Sequence, residues 1–175
     1  MPATHLLLAP GASGSIERLT AHRSGLEARG LTVSLVELPR GRAERAIPVY
    51  ATALAAAGSG VAIGGHSFGG RVASLLAADA QITGLVLLSY PLHAPGRQEA
   101  WDERTRHWPR IRSPVLLLSG ESDPFARLDL LRSAVRRLPD ARLVTFPGVG
   151  HGLDRVLDAA LDQVAAFLHR PPRGR

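Results

Sequence analysis

The sequence contains no cysteine and no lysine, and all 21 of its basic side chains are arginines. The absence of cysteine excludes disulfides, thiolate zinc sites, iron–sulfur ligation and a cysteine nucleophile. The absence of lysine excludes Schiff-base chemistry and the phosphate-binding lysine of a P-loop. Any chemistry of this chain must therefore rest on other side chains.

Long apolar runs are also missing near the N-terminus. The first one covers only residues 6–9, and no basic segment precedes it. A run of that length is too short for a signal peptide or a transmembrane helix. We therefore expect a soluble, cytoplasmic protein with no membrane partner. The length of 175 residues fits a single domain, which we place at residues 1–169, followed by a basic, disordered tail at residues 170–175.

The formal net charge of +6 is not concentrated in one segment. Phosphate-backbone binding needs the positive charge on one face or stripe, whereas the arginines here are scattered and mostly interleaved with acidic residues. We expect no nucleic-acid partner. The sequence also has no H-E-x-x-H motif and no paired ligand spacing, so we expect neither a metal nor another cofactor.

Six short apolar segments alternate with segments of helical spacing. Most of them are continuously apolar, which is typical of strands that are buried on both faces of a parallel sheet. Alternating strands and helices predict an α/β fold with an open, mostly parallel sheet and helices on both faces. Such sheets bind ligands at the carboxyl ends of their strands. The predicted strands are 4–9, 32–38, 60–64, 84–90, 114–119 and 141–146.

The segment GGHSFGG, residues 64–70, contains a G-x-S-x-G pattern around Ser67. It follows a predicted buried strand and precedes an amphipathic segment, which is the strand–turn–helix context of a nucleophile elbow. Glycines at 65, 69 and 70 would remove Cβ atoms that collide in so sharp a turn. The alternative is a glycine-rich phosphate loop at a helix N-terminus, but the G-x-G-x-x-G register is absent.

A serine nucleophile needs a base, and the base needs an orienting group. In proteins with this kind of elbow, the serine comes first along the chain, the acid second and the histidine third, and each lies just beyond a strand. Asp123 follows the predicted strand 114–119, and His151 lies in a glycine-flanked loop after strand 141–146. Either residue alone could be a turn former or a surface histidine. Their order and placement together predict a Ser67–His151–Asp123 triad, with Glu121 as the one close rival for the acid.

An acyl-transfer site also needs backbone amides that stabilise the oxyanion. We predict that one is the amide of Phe68, directly after the nucleophile. The other would come from the glycine-rich loop after the first strand, and we assign it to Ala12. The alternative is that this loop is an ordinary strand-to-helix turn, which would be compatible with the oxyanion role of Ala12.

These residues resemble the α/β-hydrolase superfamily over almost the whole chain. The segments GGHSFGGRVAS, SYPLHAPGR and SGESDPF are similar to those of its small dienelactone-hydrolase-like group. The resemblance implies a minimal α/β-hydrolase fold of about six strands and a serine-hydrolase capacity that uses Ser67, Asp123 and His151. It does not supply a substrate. Many members carry His-Gly in the oxyanion loop where this chain has Pro10-Gly11.

Cap domains of this superfamily usually follow the strand that corresponds to 84–90. The gap of residues 91–113 is too short for one, so we expect an open, capless site. Its aromatic, histidine and arginine side chains could form a side wall that favours anionic or aromatic acyl groups, or they could be a solvated surface excursion. As possible pocket residues we name Tyr90, His93, Trp101 and Trp108.

Two functions of different classes follow from the sequence. The first is a serine hydrolase that cleaves a small ester, thioester or lactone, with a small acyl compound as its only predicted partner. The second is a non-catalytic, hydrolase-like protein-interaction module, because a fold does not dictate a function. The complete Ser67–His151–Asp123 set favours the enzyme. The oligomeric state is not encoded in any feature of the sequence.

Overall fold

The computed structural model describes residues 4–170, and its centre is one six-stranded sheet. All strand pairings are parallel, and the strand order is β2-β1-β3-β4-β5-β6. This confirms the predicted α/β fold. The strands are β1 (His5–Ala9), β2 (Thr32–Leu35), β3 (Val61–His66), β4 (Leu85–Leu88), β5 (Val115–Gly120) and β6 (Ala141–Phe146).

Six α-helices and four short 3₁₀ turns connect and follow the strands. The helices are α1 (Thr20–Glu27), α2 (Ala43–Ala57), α3 (Phe68–Ala77), α4 (Trp101–Arg104), α5 (Leu128–Val135) and α6 (Leu157–Leu168). One core cluster joins α2, α3 and α5 to one face of the sheet, and a second joins α1 and α6 to the other. Successive residues of β4 point to opposite clusters, which explains why its sequence is apolar throughout.

Four strands differ in length from the sequence prediction. β1 begins at His5 rather than at residue 4, and β4 covers Leu85–Leu88 rather than residues 84–90. β3 continues to His66, because Gly64 and Gly65 still pair with both neighbouring strands. β2 ends at Leu35 rather than at residue 38. The amide of Val36 still donates to the carbonyl of Leu8, but β1 ends at Ala9 and offers no partner further on.

The carboxyl edge of the sheet brings together loops that are far apart in sequence. The loops after β1, β3, β5 and β6 all lie at this edge, since the strands are parallel. None of the helices within residues 4–170 is long and apolar enough to cross a membrane. The predicted basic tail falls almost entirely on residues 171–175, which lie outside the described residues. Both the tail and the single-domain boundary at 169 therefore stay predictions.

Candidate active site

Ser67 occupies the sharp turn between β3 and α3. Its backbone has φ 48° and ψ −114°, a conformation that L-residues rarely adopt. Such a conformation costs on the order of 1–3 kcal/mol, so the surrounding structure must hold it in place. One such restraint is the Ser67 amide, which donates to the carbonyl of Leu88 in β4 at 2.8 Å. The turn therefore presents the hydroxyl beyond the end of the sheet.

The glycines around Ser67 let three backbone segments approach one another. A Cβ at position 65 would lie 2.5 Å from the amide nitrogen of Gly70, and it would also collide with the backbone of Gly69. A Cβ at position 69 would lie 2.5 Å from the carbonyl oxygen of Pro10. Real Cβ atoms do not approach backbone this closely, so glycine is required at both positions. The elbow helix thereby packs directly on the loop after β1.

A continuous chain of hydrogen bonds joins the three residues of the predicted triad. His151 Nε2 lies 2.8 Å from Ser67 Oγ, and His151 Nδ1 lies 2.9 and 3.0 Å from the two carboxylate oxygens of Asp123. A carboxylate only accepts hydrogen bonds, so Nδ1 carries the proton and donates it. With the ring proton on Nδ1, Nε2 is the acceptor for the serine hydroxyl. In this state the imidazole is poised to take the proton of Ser67.

The Asp123 side chain is fully buried, and its carboxylate contacts Nδ1 of His151. Its Oδ1 also accepts a hydrogen bond from the amide of Phe125 at 2.8 Å. The rival carboxylate, Glu121, accepts instead from the hydroxyl of Thr145 at 2.7 Å on the edge strand β6. The structure therefore brings Asp123, and not Glu121, to His151.

Packing against two rings and one backbone contact fixes the position of His151. The ring of Phe125 lies 4.5 Å from the imidazole between centroids, and the ring of His66 lies 5.4 Å away. His66 Nε2 donates to the carbonyl oxygen of His151 at 3.3 Å. Burial lowers the pKa of His66, so this ring is neutral at neutral pH. His66 therefore supports the backbone of the loop that carries His151.

The two predicted oxyanion donors both border the cavity next to Ser67. Phe68 is the first residue of α3. The helix has no earlier turn whose carbonyl could accept a hydrogen bond from the Phe68 amide. Ala12 is the second residue of a turn that the Gly14 amide closes on the carbonyl of Gly11, so the turn does not use the Ala12 amide. A Cβ at Gly11 would lie 3.7 Å from the Cβ of Ser67, which places this loop against the nucleophile.

A cavity of about 580 Å³ opens beside the Ser67 hydroxyl. Its lining comes from the loop after β1, from residues 18–22, from the loop that carries His151, from α3 and from parts of residues 91–125. The lining includes four charged side chains and a second buried histidine: Arg18, His22, Arg71, Arg104 and Asp154. Burial lowers the pKa of His22, so this side chain is neutral at neutral pH.

The four possible pocket residues named from the sequence do not line this cavity. Trp108 is fully buried and packs edge-on against Tyr90 at 5.0 Å between ring centroids. His93 is also buried, and its Nε2 accepts a hydrogen bond from the amide of Arg127. The ring of Trp101 packs under the guanidinium of Arg137. Tyr90, His93 and Trp108 are instead buried beneath residues 91–113, and Trp101 packs against the core from its surface.

Most residues of the cavity wall were not predicted from the sequence. Arg71 follows Ser67 by four residues, which is one helical turn, so the spacing alone could have placed it on the same side of α3. Arg104 was one of five arginines considered between residues 91 and 113. Of these five it is the one that reaches the cavity within the described chain. No periodic signal distinguishes it from the others, because this segment has only short helical turns.

Within residues 4–170, no group of three or more histidine, aspartate or glutamate side chains is arranged to hold a metal ion. The site that the structure does assemble consists of a hydroxyl on a sharp turn, an imidazole, a buried carboxylate and the two cavity-lining residues Phe68 and Ala12. Such an arrangement can transfer an acyl group through a serine ester.

A fold of this kind with its elbow serine defines the α/β hydrolases, and comparison with known proteins agrees. The alpha/beta hydrolase domain family matches residues 37–163. The chain therefore belongs to this family, as the sequence motifs had indicated.

Three solved structures illustrate the likeness. A monoacylglycerol lipase of Paleococcus ferrophilus aligns with a TM-score of 0.81 at 16% identity, over 95% of this chain and 96% of the lipase. Est1E from Butyrivibrio proteoclasticus aligns with a TM-score of 0.78 at 16% identity, over 95% of this chain and 87% of Est1E. An alpha-beta serine hydrolase homologue from Coxiella burnetii aligns with a TM-score of 0.76 at 16% identity, over 95% of this chain and 85% of the homologue. At such identities the likeness shows a shared fold.

Proposed function

We propose that this protein is a serine hydrolase that cleaves a small ester, thioester or lactone. The observation that carries the proposal is the hydrogen-bonded chain from Ser67 Oγ through His151 to the buried carboxylate of Asp123. Neighbours of the same fold that are described as a lipase and a serine hydrolase support it. A chain that only bound a partner would have no need of a strained serine beside an imidazole.

In the proposed reaction, Ser67 Oγ attacks the carbonyl carbon of the bound ester while His151 Nε2 takes the hydroxyl proton. The negative charge moves to the carbonyl oxygen, where the amides of Phe68 and Ala12 stabilise it. Asp123 holds the Nδ1 proton and stabilises the imidazolium. The bond to the leaving group then breaks, and His151 returns the proton to that group. Water repeats the sequence on the acyl-enzyme, which releases the acid and restores Ser67.

Reaction with a fluorophosphonate probe tests the proposal, because such a probe phosphonylates an activated serine. We expect stoichiometric labelling of Ser67 in the wild-type chain and none in Ser67→Ala. A matched control is Ser13→Ala, since Ser13 also borders the cavity but has no histidine partner. Failure of the wild-type chain to react would contradict the proposal and would favour the non-catalytic interaction module.

Short acyl chains should be hydrolysed faster than long ones. Of residues 91–113, only Pro91, Ala94 and Arg104 reach the cavity wall, and exposed residues such as Ala12 and Asp154 lie at its border. A long alkyl chain would extend beyond the cavity and gain little burial there. We expect kcat/KM for 4-nitrophenyl acetate and butyrate to exceed that for the dodecanoate. The opposite order would show that part of the chain covers the acyl group.

A further inference from the structure

Two arginines share one side of the cavity with the proposed nucleophile. Arg71 extends from α3 one turn after Ser67, and Arg104 ends the short helix α4. Both side chains border the cavity, and both residues are partly buried. Two positive charges are thus held near each other beside Ser67.

Neither guanidinium has an acidic partner in the described chain. The ion pairs found within residues 4–170 involve other arginines and His151, not Arg71 or Arg104. The one carboxylate on the cavity wall is Asp154, on the loop after His151. Its charge partly opposes the lowering of the pKa that burial causes at His22 and His66, so it lies near those two rings.

The two arginines also oppose each other electrostatically. Burial and the neighbouring charge of Arg71 lower the pKa of Arg104, and the charge of Glu103, which forms no ion pair with it, opposes this lowering only in part. Like charges that are partly removed from water destabilise a folded chain unless an anion compensates them. Other arginines on this face do have such partners, for example Arg137 with Asp102 and Arg110 with Asp79.

Arg104 is held in place by neighbouring groups. Its Nη1 donates to the carbonyl of Pro91 at 2.8 Å, and the buried Tyr90 hydroxyl donates to the Arg104 carbonyl at 2.8 Å. The remaining guanidinium donors of Arg104, and all those of Arg71, have no acceptor among residues 4–170. Guanidinium groups bind carboxylate and phosphate oxygens with several parallel hydrogen bonds.

From this arrangement we infer that Arg71 and Arg104 form an anion-binding subsite, and that the preferred substrate is a small ester carrying a second, negatively charged group. The inference rests on the proposed serine-hydrolase function for its substrate, but the subsite can be tested without turnover. The charged group is an oxyanion, either a carboxylate or a phosphate.

The test compares two 4-nitrophenyl esters of adipic acid, one with a free carboxylate and the other with that carboxylate methylated. They have the same acyl chain and leaving group and differ in one charge. We expect the wild-type chain to favour the anionic ester in kcat/KM by about tenfold or more at low salt. The preference should decrease at high ionic strength, because exposed charges are screened.

The variants Arg71→Gln and Arg104→Gln should each reduce this preference, and the double variant should bring the ratio of the two kcat/KM values close to one. The matched control is Arg112→Gln, which removes the same charge from an exposed residue of the same segment that does not border the cavity. It should keep the wild-type ratio. A wild-type ratio near one, or a ratio that neither cavity variant changes, would overturn the subsite.

Binding to Ser67→Ala separates the subsite from the proposed catalysis. Calorimetric titration with monomethyl adipate and with inorganic phosphate should show binding that Arg71→Gln weakens, and the tighter ligand identifies the oxyanion. Binding of this kind, together with a wild-type chain that hydrolyses neither ester, would support the subsite and refute the proposed function. Equal hydrolysis of both esters, with neither anion bound, would refute the subsite and leave the proposed function standing.

Discussion

Replacing Ser67 with alanine is expected to lower kcat for a good ester substrate by about 10⁴-fold or more, because no other group can form the acyl-enzyme. The fold should survive. Alanine keeps the Cβ that the turn already accommodates, and it loses only the hydrogen bond to His151 Nε2. One such bond contributes about 1 kcal/mol to stability. The measurements are steady-state hydrolysis of 4-nitrophenyl butyrate and chemical denaturation of both proteins.

The same experiment should show that Ser67 and His151 act together. His151→Ala is expected to cost a comparable factor, and the double variant should be little worse than either single variant, because both residues serve one proton transfer. Independent losses of modest size that add in the double variant would contradict the triad. A folded Ser67→Ala protein with most of its esterase activity would contradict it as well.

The sheet could be predicted from the sequence because parallel strands are buried on both faces. Segments such as VLLLSG at 115–120 therefore show no alternation and are easily distinguished from the amphipathic helices between them. Strand ends were less predictable. β3 extends past its predicted end at residue 64 to His66, although Gly65 has low strand propensity, because strands on both sides pair with Gly65.

The residues at the carboxyl edge could also be placed from the sequence. Ser67, Asp123 and His151 each follow a recognisable strand, so topology alone brings them to the same edge. Their catalytic roles stay a prediction until activity is measured. Position favoured Asp123 but left Glu121 as a close rival, since both lie in the same turn. The choice depends on side-chain direction: Glu121 points to Thr145 and Asp123 to His151.

The cavity wall was the least predictable part of the site. Residues 91–113 have no sustained period, so nothing in the sequence indicates which side chains point inward. Aromatic side chains of this segment pack in the core, as Trp108 does, whereas the charged side chain of Arg104 borders the cavity. Composition suggested the opposite assignment for the tryptophans, because exposed-looking polar segments often carry aromatic pocket residues.

Gly120 is the position where a single methyl group should most disturb the site without touching a proposed catalytic residue. It ends β5, three residues before Asp123, and it is buried against the loop that carries His151. A Cβ at this position would collide with the carbonyl oxygens of Val149 and Gly150. These are backbone atoms, so the loop cannot relieve the collision by rotating a side chain. It must move away from β5, and His151 must move with it.

We therefore expect Gly120→Ala to lower kcat by about 10²-fold, the usual consequence of displacing a catalytic group by about 1 Å. Overpacking of this buried position should also reduce the free energy of unfolding by about 1–3 kcal/mol. The matched control is Gly150→Ala in the same loop, where a Cβ would meet no atom within 4 Å and φ is not positive. That variant should retain most of the activity. If Gly120→Ala were as active and as stable as the wild type, or if Gly150→Ala lost as much, then the contact between β5 and this loop would not be what positions His151 against Asp123.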